Sequence, residues 1–242
     1  MNPLALQTVN HPQPSTLDLA GFQAALKESI SGEVRFDRLS RALYSTDASV
    51  YQIVPLGVVL PKSEADVRAT VEICTRFNMP ITARGGGTSQ AGQAIGPGII
   101  LDFSKYFSRI VQINPAEKWA RVEPGCVLDD LNLALKPHGL QFAPDISTSN
   151  RATIGGMVAN NSSGTRSLIH GKTIDHILGL KLLLADGNII QAEAVSAAEL
   201  EHKCAQQDLE GAGTRQRRSG SGQGGTAPPG SLTGRLGLLR VE

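Results

Sequence analysis

Three consecutive glycines, Gly85-Gly86-Gly87, stand between the short apolar run Ile81-Thr82-Ala83 and the hydroxyl pair Thr88-Ser89. Glycine loses more backbone entropy on ordering than any other residue, so three in a row make a poor connector. Their gain is conformational. Without Cβ atoms, successive N–H groups can face one concavity and a ligand can approach the main chain. Arg84 adds a permanent cation, and Thr88 and Ser89 add donors. The stretch Pro80–Gly92 therefore has the chemistry of a phosphate or diphosphate cradle. A plain glycine-rich loop is the competing reading. Two nucleotide motifs are excluded. No lysine follows the glycines, as a P-loop requires, and Gln90 stands where a dinucleotide fingerprint ends in glycine.

The periodicity around this loop predicts mixed helices and strands. Residues 17–31 predict a helix with Leu19, Phe22, Ala25 or Leu26 and Ile30 on one face, ended by Gly32. Arg35–Ser49 is polar and mixed, and Tyr44–Tyr51 reads as an ordered loop. Val54–Leu60 predicts a strand closed by Pro61. Ser63 is a helix N-cap with Asp66 at the third helical position, a relative of the capping box. Val67, Thr70, Val71, Cys74 and Phe77 repeat at helical spacing until Asn78 and Pro80 stop the helix. Strand, helix, strand and anion loop make a βαβ-like unit. Strands are predicted at Ile99–Phe103, Ile110–Ile113 and Trp119–Val122, and a helix over Val127–Lys136 buries Leu128, Leu131 and Leu135. Leu178–Asp186 and Asn188–Ala192 predict a hairpin turned by Asp186-Gly187.

A second dense stretch runs from Pro144 to Ile177. Thr153 is a candidate N-cap for a short helix over Ile154–Ala159. Gly155 and Gly156 on its first turn lower helix propensity, which close packing on a ligand or another backbone would explain. Asn160-Asn161-Ser162-Ser163-Gly164 is almost pure hydrogen-bonding surface; taken alone it reads as a solvated loop.

A net charge of +1 gives no reason for a nucleic-acid or anionic-membrane partner. Three scattered cysteines, Cys74, Cys126 and Cys204, form no CxxC pair, so a zinc or disulfide framework is not expected and a reducing compartment fits. His138, His170, His176 and His202 are too dispersed to read as a metal set, and no metal ligand is assigned. The first residues, with Pro12 and Pro14, lack the basic-then-apolar pattern of a signal peptide. No run approaches the roughly 18 apolar residues of a membrane span, so a soluble protein is expected. Three regions are expected: residues 1–45, a flexible leader followed by a helix; 46–200, the folded domain; and 201–242, a low-complexity tail. From about Ala212 the chain is Gly, Ser, Arg and Pro with little period, which predicts disorder and has the look of an unintended reading frame.

Five segments in order now carry a resemblance: Pro61-Lys-Ser-Glu-Ala-Asp-Val67, Arg84-Gly-Gly-Gly-Thr-Ser89, Thr153-Ile-Gly-Gly-Met-Val-Ala-Asn-Asn-Ser-Ser-Gly164, Gly171-Lys-Thr-Ile-Asp-His-Ile177 and Ala185-Asp-Gly187. Over roughly residues 40–196 the chain resembles the PCMH-type FAD-binding domain of the vanillyl-alcohol-oxidase superfamily. It is most similar to FAD-linked D-2-hydroxy-acid dehydrogenases of the D-lactate, glycolate and D-2-hydroxyglutarate type. The doubled Asn and Ser resemble a long subgroup with a C-terminal iron–sulfur region.

The resemblance implies an α+β fold, two α+β subdomains clasping an extended FAD. It implies that Arg84, Gly85, Gly86, Gly87, Thr88, Ser89 and Gln90 hold the diphosphate. Pro144, Asp145, Ser147 and Thr148 would lie along the flavin and ribityl chain. Thr153, Gly155, Gly156, Asn160, Ser162, Ser163 and Gly164 would line the other side, with Gly171 beyond and Ile177 near the adenine. Thr88 occupies the place where covalent relatives carry histidine, which favours non-covalent FAD. His170 reads either as a donor to a flavin phosphate or ribose or, preferred, as a partly exposed structural histidine; His176 reads as structural. Asp145 either orients the flavin or caps a turn. The implied activity is hydride transfer from a D-2-hydroxy acid to FAD, with an iron–sulfur, quinone or cytochrome acceptor or partner subunit. The implied place is the cytoplasm, free or peripheral to the inner face of a membrane. A substrate domain follows in the family; nothing after residue 212 stands in for it, so no catalytic base is assigned and the chain reads as truncated. The alternative is an FAD-carrying subunit or fragment without activity of its own.

Overall fold

Continuous apolar runs, rather than alternating ones, build the first of two sheets. In the computed structural model, which describes residues 18–194, 196–205 and 238–241, this sheet holds β1 (Glu33–Arg35), β2 (Gly57–Leu60), β3 (Ile81–Arg84) and β4 (Ile99–Asp102) in the order β1-β2-β4-β3. β2, β4 and β3 run parallel, and every residue of β2 and β4 is buried. Parallel strands covered on both faces have no polar side to alternate with. Helix α3 (Glu64–Arg76) crosses from β2 to β3, and α1 (Leu19–Ser29) packs on α3. Phe22 and Leu26 meet Val59, Val67, Ile73, Cys74, Ile99 and Leu101 in one core. Full burial of each such aliphatic or aromatic side chain contributes about 1.5–3 kcal/mol. On the other face Val58, Leu60 and Ile100 lie under Tyr44 and Tyr106.

Ser63 caps α3 as its position predicts, its hydroxyl accepting from the Asp66 N–H at 3.2 Å. Asp66 reaches beyond Ser63. Its carboxylate, 3% exposed, accepts from the Lys62 N–H at 2.8 Å and the Ser31 N–H at 2.9 Å. The acid at the capping-box position thus also ties the start of α3 to Ser31, just after α1.

The second sheet holds β5 (Ile110–Asn114), β6 (Trp119–Val122), β7 (Ile177–Leu183), β8 (Ile189–Glu193) and β9 (Leu238–Val241) in the order β5-β6-β9-β7-β8. The β5–β6 and β7–β8 pairs are antiparallel, and β9 lies parallel between β6 and β7. The β7–β8 turn has Gly187 at φ +84°, as Asp186-Gly187 predicts. Helices α4 (Leu128–Leu135) and α5 (Ile154–Asn160) pack with this sheet: Leu128, Leu131, Leu135, Ile154 and Met157 join Ala120, Val122 and Phe142 in a second core. Each sheet with its helices is thus one α+β subdomain.

The structure contains elements that the sequence reading does not predict. The polar, mixed stretch 35–49 holds regular structure ahead of the loop expected at Tyr44–Tyr51. β1 extends into that stretch, and α2 (Arg38–Leu43) is capped by Asp37, whose carboxylate accepts from the Ser40 N–H at 2.8 Å. β1 is three residues long and gets its identity from pairing Glu33, Val34 and Arg35 with Leu60, Val59 and Val58; no window so short carries a period. The leader 1–16 and most of the tail lie outside the described residues. Two described elements touch the region expected as a tail from residue 201: α7 (Ala197–Ala205), which runs across that boundary, and β9 (Leu238–Val241). β9 is recruited by two neighbours in the sheet, which four residues of sequence do not disclose. Among the described residues, no helix is long and apolar enough to cross a membrane.

Candidate cofactor site

The glycine loop leaves β3 and faces the Ile146–Thr148 turn and α5 across a cleft of about 340 Å³. That is at the small end of the range for ligand sites. The structure brings Gly85, Gly86, Gly87, Thr88, Ser89, Gln90, Ser147, Thr148, Thr153, Gly156, Asn160, Ser162 and Ser163 to its wall. Elements distant in sequence converge because β4 seats β3 in the first subdomain while the Cys126–Leu128 segment holds the 152–154 segment in the second. There the Ile154 N–H donates to Cys126 at 2.8 Å and the Leu128 N–H to Ala152 at 3.1 Å.

The wall is rich in donors that nothing else uses. Among the described residues, no hydrogen bond takes the N–H of any residue from Gly85 to Gln90. The side chains of Thr88, Ser147, Thr148, Asn160, Ser162 and Ser163 likewise have no hydrogen-bond partner there. Several of these groups, among them Gly86, Asn160 and Ser163, are exposed to solvent, and what suits the set to an acceptor-rich ligand is that so many donors converge on one cleft. Among the described residues, no Asp, Glu, Lys, Arg, His or Cys lines the cleft. Such a neutral, N–H-lined concavity holds an anion by oriented dipoles rather than by ion pairing. A diphosphate with hydroxyl-bearing arms fits this donor set.

The glycines also serve a contact the sequence does not announce. A Cβ on Gly86 would sit 2.1 Å from the Arg151 carbonyl oxygen, and one on Gly85 would sit 2.0 Å from the Thr153 hydroxyl. The two subdomains touch through these two glycines, Gly86 on the Arg151 backbone and Gly85 on the Thr153 side chain. Thr153 precedes α5 as predicted, but its side chain makes no cap hydrogen bond; its hydroxyl packs on Gly85.

Eight expected site residues are not on the wall of this cleft. Arg84 turns behind the loop, where its Nη1 donates to the Ala94 carbonyl at 3.0 Å and its guanidinium lies 5.2 Å from the Tyr44 ring centre. Pro144 is buried. Asp145 holds a turn: its carboxylate accepts from the Arg166 N–H at 3.1 Å and the Thr165 hydroxyl at 3.3 Å. Gly164 packs on the Asp145 carbonyl. Gly155 faces away, onto Pro124, on the opposite side of α5. The His170 carbonyl accepts from His176 Nε2 at 2.6 Å, which fixes the His176 tautomer, and the His176 ring stands edge-on to Phe142. Gly171, at φ +79°, ends the short helix α6 (Ser167–His170), and Ile177 begins β7 against the second core. Sequence reading missed Ala83, Gln93, Ala94, Ile146, Ala152, Met157 and Ala159 on the wall. Apart from Gln93, whose amide lies outside any motif, their small or apolar side chains carry no chemical signal.

A larger groove of about 870 Å³ lies past the other face of α5, against Phe103, Phe107, Val158, Leu180 and Leu182. Of its rim charges, Arg109 pairs with Glu123 at 2.7 Å and Lys181 with Glu64, while the Lys62 ammonium lies 5.3 Å from the Tyr106 ring centre. It is an apolar seam between the subdomains.

Comparison with known proteins agrees with this geometry. The chain is 44% identical over 175 residues to D-2-hydroxyglutarate dehydrogenase of Escherichia coli K12, covering 71% of this chain and 17% of that protein. It is 35% identical over 167 residues to the glycolate oxidase subunit GlcD of Bacillus subtilis, covering 67% of this chain and 35% of the relative. The chain thus spans well under half the length of these relatives. In fold it is similar to alkyldihydroxyacetonephosphate synthase, with a TM-score of 0.66 at 20% identity, covering 81% of this chain and 40% of the other. Residues 55–193, which include both walls of the cleft, match the family described as "FAD binding domain". More than half of the chain lies on that pattern, and its open donors suit the dinucleotide's diphosphate: the chain belongs to the FAD binding domain family.

Proposed function

We propose that this chain holds FAD non-covalently in the cleft and forms the flavin-binding part of an enzyme that oxidises a D-2-hydroxy acid. The observation that carries the reading is the set of unused N–H groups from Gly85 to Gln90 facing unused hydroxyls and an amide across one cleft. The substrate class rests on the relatives, named for D-2-hydroxyglutarate and glycolate. Bound FAD supplies the two-electron acceptor for such an oxidation.

The chain's own residues bind and orient. The loop N–H groups hold the diphosphate from one side, and Asn160, Ser162 and Ser163 hold it and its sugar hydroxyls from the other. Ser147 and Thr148 lie along the ribityl side, with Ile146 and Met157 as the apolar contact. Among the described residues the wall carries no His or Cys, and Thr88 stands in the loop, which supports a non-covalent FAD. Asp145, Gly155, Gly164, His170 and Gly171 shape the turns that carry these groups.

A second reading is favoured by one observation. No acid or base lines the cleft, so the described residues offer no acceptor for the substrate's hydroxyl proton. The chain is then the cofactor half, with the proton acceptor and the iron–sulfur, quinone or cytochrome electron acceptor supplied from elsewhere.

A visible spectrum of the purified chain with FAD, followed by anaerobic addition of D-2-hydroxyglutarate, D-lactate and glycolate, tests both. Flavin bands that stay with the protein and are bleached by none of the acids are expected. Bleaching by one acid would show that the chain completes a substrate site itself. No retained bands would contradict the cofactor reading.

A further inference from the structure

The far side of the glycine loop is as organised as the side that faces the cleft. β3 and β4 end side by side, with Arg84 paired to Asp102 in the ladder, so the last residue before the loop sits beside a buried carboxylate. Asp102 is 4% exposed. One of its oxygens accepts from the Ser104 N–H at 2.7 Å and the other from the Tyr44 hydroxyl at 2.5 Å. Burial, then the bond to Asp102, push the Tyr44 phenol above its ordinary range, so it stays a neutral donor. The Tyr44 ring in turn lies under the Arg84 guanidinium at 5.2 Å.

Arg84 cannot swing into the cleft without breaking this arrangement. Its Nη1 donates to the Ala94 carbonyl, while the Ala94 N–H reaches Asp47 at 3.4 Å. Its Nη2 lies directly behind Gly87, 2.5 Å from where a Cβ would be. The next residue after Asp47 finishes the bracket: the Ala48 N–H donates to the Gly87 carbonyl at 3.1 Å. Gly87 is at φ +65°. Because C=O and N–H point opposite ways across a trans peptide, fixing the Gly87 carbonyl toward Ala48 turns the Thr88 N–H away from it. A carbonyl is thereby kept off an incoming anion and a donor is offered instead.

We propose that Tyr44, Asp102 and Arg84, with Asp47 and Ala48, form a brace behind the glycine loop that presets its N–H groups for the FAD diphosphate and fixes a guanidinium charge beneath it. This rests on the reading that the cleft holds FAD. Arg84 and Tyr44 are positioning residues in this account: they act through the loop. A loop set before binding avoids the ordering cost that a mobile glycine run imposes at the moment of association.

The test uses the full chain with FAD, in wild type and in Tyr44→Phe, Asp102→Asn and Arg84→Lys. Tyr44→Phe keeps the ring under the guanidinium and removes only the hydroxyl. Three quantities are read: the FAD dissociation constant, the ³¹P resonances of the bound diphosphate, and the melting temperature of the FAD-free chain. The brace predicts an FAD dissociation constant about tenfold higher in Tyr44→Phe and Asp102→Asn, with ³¹P resonances displaced from wild type. Arg84→Lys, which keeps the charge but loses the planar stack, is expected to displace them as well. Wild-type affinity and resonances in all three variants would overturn the brace while leaving FAD binding intact. So would weakened binding that follows a lowered melting temperature with the resonances unmoved, since that is the mark of a structural role. A wild-type chain that binds no FAD would overturn the cofactor reading and the brace with it.

Discussion

Gly86 is where the residue scale decides most. Its missing Cβ lets the loop lie on the Arg151 carbonyl, so Gly86→Val forces loop and turn apart. The cost is expected at about 1–3 kcal/mol of stability, with loss of retained FAD. Denaturant melts and the flavin spectrum check both, and wild-type stability in the variant would show that the loop–turn contact is misread. Glu33 makes a pH prediction. Its carboxylate accepts from Lys105, Tyr106 and Arg35, which together hold it down at about 2 against an ordinary value of 4.5. A carboxyl depressed in the folded state stabilises above its unfolded value and loses that stabilisation as pH falls toward its folded value. The melting temperature is therefore expected to drop between about pH 5 and pH 2. Glu33→Gln should flatten that part of the profile; an unchanged profile would mean that the cluster contributes nothing. The anion-loop chemistry was legible because it depends on residue type. The direction of Arg84 was not, because it is set by Tyr44 and Asp102, which are distant in sequence and meet only when β3 and β4 pair.

At the scale of elements, α5 separates the cleft from the apolar seam, and its two glycines face opposite ways. Gly155 lies on Pro124, whereas a Cβ on Gly156 would meet only the Thr153 hydroxyl, at 3.4 Å. Gly156→Ala is therefore expected to keep the fold, with stability raised by up to about 1 kcal/mol from helix propensity. Because Gly156 lines the cleft, FAD affinity should fall. Opposite movement of melting temperature and affinity is the expected result; an unchanged FAD affinity would place the dinucleotide away from α5. The helix α3 was readable from Ser63 and an apolar stripe, and the β7–β8 hairpin from alternation and Asp186-Gly187. Both signals lie inside one element. The strands β1 and β9 and the helix α2 were not, since three to six residues carry no period; partners across the sheet decide the two strands.

For the whole molecule, the two subdomains present complementary walls: a βαβ unit offers backbone donors, and a sheet-and-helix unit offers hydroxyls and an amide. β9 sits between β6 and β7, so it joins the two hairpins of the second sheet. A chain ending at residue 237 would leave unpaired backbone groups on both neighbours. It is expected to melt at a lower temperature or to aggregate, read by circular dichroism and light scattering. A melting temperature within about 2 °C of the full chain would remove β9 from the account of stability. The central claim remains that the cleft recognises a diphosphate through main-chain N–H groups. Calorimetric titration of the full chain with FAD and with riboflavin, which carries the same ring system without the diphosphate, tests it most directly. The account predicts that FAD binds at least about 100-fold more tightly than riboflavin; equal affinity for the two would contradict it.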